Sequence, residues 1–282
     1  KKLVRTAILL VFWLPYAIAL YPGVLTFDTS FQLCQFFGSE MPGIFPGPSG
    51  YGFTNHHPLF VTLLFGFVVY VGELLTGSYN VACFLLSVLL AMFTAFSASC
   101  VLDLLDRLAV KRSVRVGTLL FFALFPVFPF FALTPCKDSL FTPLFILFSI
   151  CIFDLSLSSG DKLRSKRCIG AFVLLSILMI LSKKTGLYIF LLIVLILLVL
   201  KGKNKIRLVS SAVCVVVVSS VLFPAVLFPV LNVYPGSKIE MMGPLYQQTA
   251  RYVSCYPDDL SEAERHAVDE VLGFDGLRDR YN

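Results

Sequence analysis

Residues 168–200 read CIGAFVLLSILMILSKKTGLYIFLLIVLILLVL, an apolar run in which Lys183 and Lys184 are the only charged side chains. A helix needs about 20 largely apolar residues to cross the hydrocarbon core of a bilayer, so this run supplies two short membrane helices hinged at the lysine pair. Two ammonium groups at that hinge are costly unless they face water or an anion. The same texture extends over the chain. Eight stretches approach spanning length: 3–20, 58–76, 80–104, 116–134, 140–157, 168–182, 187–200 and 208–232. With 57% hydrophobic and 14% charged residues, 282 residues cannot hide their apolar surface in one water-soluble core. The fold class is all-α, a polytopic transmembrane helix bundle.

The formal charge of +6 does not point to nucleic acid, because the basic residues cluster in short connections between apolar runs. Five of the eight cysteines lie within or at the ends of apolar stretches, and no CxxC pair or cysteine–histidine metal spacing occurs. They read as small packing residues. Leu3–Leu20 is too long for a cleavable signal and lacks a small-residue cleavage site, so it reads as an anchor.

Basic clusters set the sidedness. Lys1, Lys2 and Arg5 precede the first stretch; Arg107, Lys111, Arg112 and Arg115 follow the third; Lys162, Arg164, Lys166 and Arg167 follow the fifth; Lys201, Lys203, Lys205 and Arg207 follow the seventh. By the positive-inside rule all four belong to the cytoplasmic face. Three full crossings before residue 107 would put that loop outside, so one of the first three stretches does not cross. Residues 58–76 begin at His57-Pro58, contain Gly66 and Gly72 and carry Glu73 near their end, which suits a re-entrant or juxtamembrane helix. About seven spanning helices remain. The expected organisation is a transmembrane module over 1–234 with an outer loop at 21–79, followed by a polar helical tail on the outer face over 235–282. In the outer loop, the glycine- and proline-rich segment 38–58 packs on protein or lines a cavity. In the tail, 244–253 and 261–272 are expected to be helical, the latter opened by a Ser261–Glu264 capping box.

Four groups on the outer face carry chemistry. Asp28 and Gln32 lie one helical turn apart in FDTSFQ and can share a pocket; alternatively Asp28 caps a short helix. His56 and His57 can orient a carboxylate, donate to phosphate or bind metal. Lys137 and Asp138 lie in the connection TPCKDS at 134–139. They either pair to satisfy the turn or place a lysine on a phosphate with the aspartate orienting it. Lys183 and Lys184 form the fourth group with Gln247, Gln248 and Arg251 of the tail, Gln247 and Arg251 being one turn apart.

With PGVLTFD at 22–28 and Gln32, NHHPL at 55–59, KDSLF at 137–141, KKTGLYIF at 183–190 and PLYQQTARYV at 244–253, the chain resembles a bacterial branch of the GT-C glycosyltransferases. That class includes protein O-mannosyltransferases, the lipid A aminoarabinose transferase and the oligosaccharyltransferase catalytic subunit. The resemblance implies a seven-helix module whose first outer loop holds a catalytic acid, the position of Asp28. It also implies a polyprenyl-phosphate sugar donor, a cell-envelope glycan, lipid or protein acceptor, and a site on the outer face of the bacterial cytoplasmic membrane. His56, His57, Lys137, Asp138, Lys183, Lys184 and Arg251 would then serve the donor phosphate. Members tend to carry Arg-Asn where this chain has Lys183-Lys184, which keeps one cation but loses a bidentate fork. The class often shows a paired acidic motif at the catalytic position. Thr29 and Ser30 follow Asp28 here, so a divalent metal has no such motif behind it. Two other readings are a transporter or lipid flippase, which would commonly show inverted repeats, and a non-catalytic assembly subunit indifferent to Asp28.

Cysteine labelling should place 107–115, 158–167 and 201–207 on one face and Lys137 and Arg251 on the other. Finding 107–115 on the face of Lys137 would make 58–76 a full crossing and overturn the seven-helix scheme.

Overall fold

A computed structural model describes residues 1–39, 50–200, 202–235, 239–274 and 276–277. The chain divides into two units, Lys1–Tyr234 and Pro235–Asn282. In the first unit the apolar stretches become α1 (Lys2–Ala19), α3 (Leu59–Thr76), α4 (Tyr79–Arg107), α7 (Lys137–Leu157), α8 (Lys166–Ser182) and α9 (Thr185–Val199). Shorter helices are α2 (Phe27–Phe37), α5 (Arg112–Leu124) and α6 (Val127–Ala132). The last apolar stretch is a continuous helix built from α10 (Lys205–Val216), a wide π segment (Val217–Leu222) and α11 (Phe223–Val230). Pro224 has no N–H to offer the carbonyl one turn before it, and the backbone widens in the turn that precedes it. Among the described residues, α1, α3, α4, α7 and Lys205–Val230 are long and apolar enough to cross a membrane. The molecule is a helical membrane protein. Among the described residues, strands are confined to a two-residue parallel pairing of Phe53–Thr54 with Val233–Tyr234, which ties the approach to α3 to the end of α11.

Two expected boundaries are corrected. The single crossing over 116–134 is broken: α5 ends at Leu124, and Phe125 is extended (φ −74°, ψ 115°) because the ring of Pro126 excludes the helical conformation from its predecessor. The 13 residues of α5 reach only about 20 Å, short of a core of about 30 Å. The connection at 134–139 is also shorter than expected, since α7 begins at Lys137 behind a capping box made by Cys136 and Ser139. Lys137 and Asp138 therefore occupy the first turn of a helix.

Ion pairs mark the two ends of the first unit. At one end Lys2 pairs with Asp103 at 3.3 Å, Arg5 with Asp106 at 2.6 Å, and Asp154 takes Arg107 at 2.7 Å and Lys162 at 3.2 Å. These join the start of α1 to the ends of α4 and α7, so α1 runs antiparallel to the other two. Arg115, opening α5, also pairs with Asp106, whereas Pro135, after α6, accepts a hydrogen bond from Thr29 at the other end. The broken α5–α6 path thus connects the two ends. By contrast, α3 starts beside Lys137, because Nδ1 of His57 lies 3.3 Å from its ammonium, and ends at Gly77, from which Ser78 turns directly into α4. Both ends of α3 lie on the Lys137 side.

Close packing holds α2 and α3 in place. Gly66 of α3 receives the ring of Phe36 from α2, where an added Cβ would overlap the ring, and Gly72 admits Ala82 of α4 so closely that a Cβ would lie 2.9 Å from its methyl. Gly23, with φ +117°, makes the turn between α1 and α2 against Ser87 of α4, leaving no room for a side chain. The rings of Phe148, Phe172 and Phe190, fully buried with centroids 5.9–6.3 Å apart, join α7, α8 and α9. In the second unit, α12 (Ile239–Cys255) contains the expected helix at 244–253, and α13 (Glu262–Leu272) opens on the expected Ser261–Glu264 capping box.

Gly66→Ala should lower the thermal stability of the purified protein by about 1–3 kcal/mol, the usual cost of overpacking. Adding Phe36→Ala should return part of the loss, since the methyl then has space. A Gly66→Ala variant as stable as wild type would show that α2 is not seated through this contact.

Candidate functional site

Thr26 starts α2 by accepting from the Thr29 N–H at 3.3 Å, so Thr26 is the cap and Asp28 sits within the first turn. That corrects the capping alternative for Asp28 and leaves its carboxylate available. Lys137, at the start of α7, donates from Nζ to Asp28 Oδ2 at 2.9 Å. His57, just before α3, is almost fully buried and presents Nδ1 3.3 Å from the same ammonium and 3.8 Å from the same oxygen. With the ring neutral and its proton on Nε2, Nδ1 accepts from Lys137; with a proton on Nδ1 this nitrogen can only donate, and Asp28 is its acceptor. His56 packs edge-on against His57, ring centroids 4.4 Å apart, and Phe31 supports His57 from α2 at 5.6 Å.

Three helix starts thus meet at one point, and their dipoles make it favourable to negative charge. Burial pushes the Asp28 carboxyl up. The hydrogen bond from Lys137 and the electrostatic influence of His57, Lys137 and His56 outweigh that penalty and hold it below the ordinary carboxylate range. Asp28 is therefore ionised at neutral pH.

Lys137 and Asp138 do not pair with each other. Neighbours on a helix diverge by about 100°, so Asp138 instead takes Lys183, whose ammonium also lies 5.5 Å from the Phe141 ring centre. Gln32 is corrected as well: it is fully buried, and its Nε2 donates to Thr62 Oγ1 at 3.0 Å, fastening α2 to α3 instead of sharing a pocket with Asp28. Its Oε1 is buried without a hydrogen-bond partner. Gln247, Gln248 and Arg251 lie on α12 of the second unit, whereas Asp28, His57 and Lys137 all belong to the first.

Beside this cluster runs a groove of about 250 Å³, lined by Asn55, Pro58 and Leu59 next to His57, by Lys184 and Tyr188, and by Ser219 and Ser220 of the π segment with Phe223 at the start of α11. Of the segment 38–58, residues 38–39 and 50–58 are described, and Asn55 and Pro58 contribute to this wall, while 40–49 lie outside the described residues. The sequence reading missed Thr29, Thr62 and the Ser219-Ser220 pair. A buried polar residue in an apolar stretch, or a serine pair one turn ahead of a proline, was the available signal. Among the described residues no three His, Cys, Asp or Glu side chains gather closely enough to hold a metal ion.

A scan against protein families matches residues 44–282 to a family of unknown function, DUF6020. The chain belongs to that family. The matched region of this DUF6020 protein contains His57, Lys137, Asp138 and both lysines at the 183–184 hinge, and starts after Asp28. No curated protein and no solved structure matches it.

The sign of the Asp28 shift gives a pH dependence. Because the folded-state pKa is depressed, the contribution of the pair is present above the ordinary carboxylate pKa of about 3.9 and is lost as pH falls through the lower folded value. Melting curves of wild type and Asp28→Asn should be separated above about pH 4 and converge below it. A separation that persists unchanged in strong acid would mean that Asp28 is not held ionised by Lys137.

Proposed function

We propose that this protein is an integral membrane glycosyltransferase that moves a sugar from a polyprenyl-phosphate donor to an acceptor on the outer face of a bacterial cytoplasmic membrane. The observation that carries the reading is the 2.9 Å Asp28–Lys137 contact, a carboxylate and an ammonium brought together from helices far apart in the chain, at the end opposite the basic loops. In this reading α1, α4, the α5–α6 path, α7, α8, α9 and Lys205–Val230 make seven crossings. α3 is the re-entrant helix, which agrees with both its ends lying on the Lys137 side.

Each residue then has a distinct task. Asp28 accepts the proton of the acceptor hydroxyl as that oxygen attacks the anomeric carbon. The bond from that carbon to the phosphate oxygen breaks, its electron pair leaves with the lipid phosphate, and configuration inverts. Lys137, turning from Asp28 as that carboxylate is neutralised, meets the charge on the departing phosphate, with His57 holding the ammonium in place. The groove past Pro58 and Tyr188 takes the first part of the polyprenyl chain, and Lys184 on its wall faces the phosphate end.

Asp28→Asn keeps the size and removes the base. It should lower transfer by about 100-fold or more while leaving insertion into the membrane unchanged. Transfer of a radiolabelled sugar from a synthetic polyprenyl-phosphate donor by purified protein reads this out. Wild-type rates in that variant would remove Asp28 from the chemistry and leave a transporter or assembly role as the better account.

A further inference from the structure

At the end of the first unit opposite Asp28 there is a second, larger cavity of about 410 Å³, a volume that suits a bound small molecule or lipid segment. Leu155 and Leu163 on one side and Leu197 and Leu208 on the other give it apolar walls, while Lys203 and Lys205 stand at its rim. The rim is a built turn. Lys203 N–H donates to the Ser159 carbonyl at 2.8 Å and Asn204 Nδ2 to the Gly160 carbonyl at 3.1 Å. Gly160, with φ +83°, comes so close to Lys203 that a Cβ there would overlap its carbonyl. The two basic connections are thus clamped together around the mouth of an apolar hole.

The charge at the mouth is one-sided. Asp161 is the acid beside it, and Lys203 at 3.4 Å and Arg164 at 3.9 Å share its carboxylate. Asp154, further along α7, is taken by Arg107 and Lys162. Arg207 donates to the Leu163 carbonyl and Lys205 to the Leu198 carbonyl, so neither has its charge offset by an acid in those contacts. The Lys203 side chain is 67% exposed, and its contact with Asp161 is a long one at 3.4 Å, so it can turn toward a ligand.

We propose that this cavity binds one anionic phospholipid, an acyl chain entering between Leu163, Leu197 and Leu208 and the phosphate meeting Lys203 and Lys205. An apolar hole alone would accept any lipid. The cationic mouth is what selects an anionic headgroup, as basic pockets between membrane helices do. Bound there, the lipid bridges the ends of α7 and α9 and the start of α10, which makes it a structural ligand of the basic end, independent of the chemistry at Asp28.

Native mass spectrometry of the whole purified chain, with phosphatidylglycerol and phosphatidylcholine in competition, tests this. The wild type should retain phosphatidylglycerol in preference, and phosphatidylglycerol should raise its melting temperature more than phosphatidylcholine does. Lys203→Ala should weaken phosphatidylglycerol by about fivefold, the worth of one lysine at a lipid phosphate. Ser156→Trp, which plugs the hole from α7 without removing a packed leucine, should abolish the preference. Should the tryptophan variant not fold, Lys203→Ala alone decides the matter. Equal retention of the two lipids by wild type, an unchanged preference in Lys203→Ala, or displacement by millimolar glycerol phosphate as effective as by intact lipid would each overturn the proposal.

Discussion

A charge placed in the middle of a bilayer costs at least about 2.5–3.5 kcal/mol, and that penalty orders the ion pairs of the first unit. The pairs fall at two levels. At one, Asp103, Asp106 and Asp154 collect Lys2, Arg5, Arg107, Arg115 and Lys162. At the other, Asp28 takes Lys137 and Asp138 takes Lys183. Between them the buried faces are aliphatic, aromatic or small hydroxyl residues, such as Thr6 and Ser99, which bond each other at 3.0 Å between α1 and α4. Because all of these pairs but Asp154–Lys162 link different helices or their ends, the two levels also fix how far each helix slides along its neighbours.

The fold was legible where one dimension of information suffices. Apolar runs and intervening lysines and arginines locate most helices and order their ends, and Ser261 with Glu264 declares its own cap. Breaks were harder to see, since the run at 116–134 is uniformly apolar and only the steric demand of Pro126 on Phe125 divides it. The site was legible as a set of residue types but not as pairs. Lys137 adjoins Asp138 in sequence, yet its partner Asp28 is 109 positions away, because the first turn of a helix sends consecutive side chains in different directions. Gln32 misled for a related reason: spacing by four places two residues on one side of a helix, but neighbouring α3 decides which part of that side is buried.

At the Asp28 end the local field has a preference of its own. The starts of α2, α3 and α7 present unpaired N–H groups and partial positive charge. Lys137 at such a start is electrostatically misplaced by its own helix, and it is tolerated because Asp28 lies close by. The arrangement is thus an anion site at present occupied by a side chain. A phosphate arriving by the groove beside His57 would meet the same dipoles and the same ammonium, and would compete with Asp28 for them. A carboxylate released from its cation becomes more basic. In the proposed transfer reaction, anion binding and activation of Asp28 as a base would therefore be coupled through one shared lysine.

The same numbers argue that the Asp28–Lys137 pair is not what holds the helices together. The Asp28 side chain is 45% exposed and that of Lys137 26%, and pairs as open as this contribute only about 0–1 kcal/mol. The adjoining contacts are of another kind. Thr29 is fully buried and bonded to the Pro135 carbonyl, Gln32 is fully buried and bonded to Thr62, and Phe36 lies on Gly66. These three fasten one face of α2 to its neighbours, and Leu33 on the same face joins the main core. α2 thus has a structural side and a chemical side. The structural side is dry, close-packed and intolerant of added volume. The chemical side is wet, charged and weakly bound, and a carboxylate on it contributes little to stability while remaining free to exchange partners.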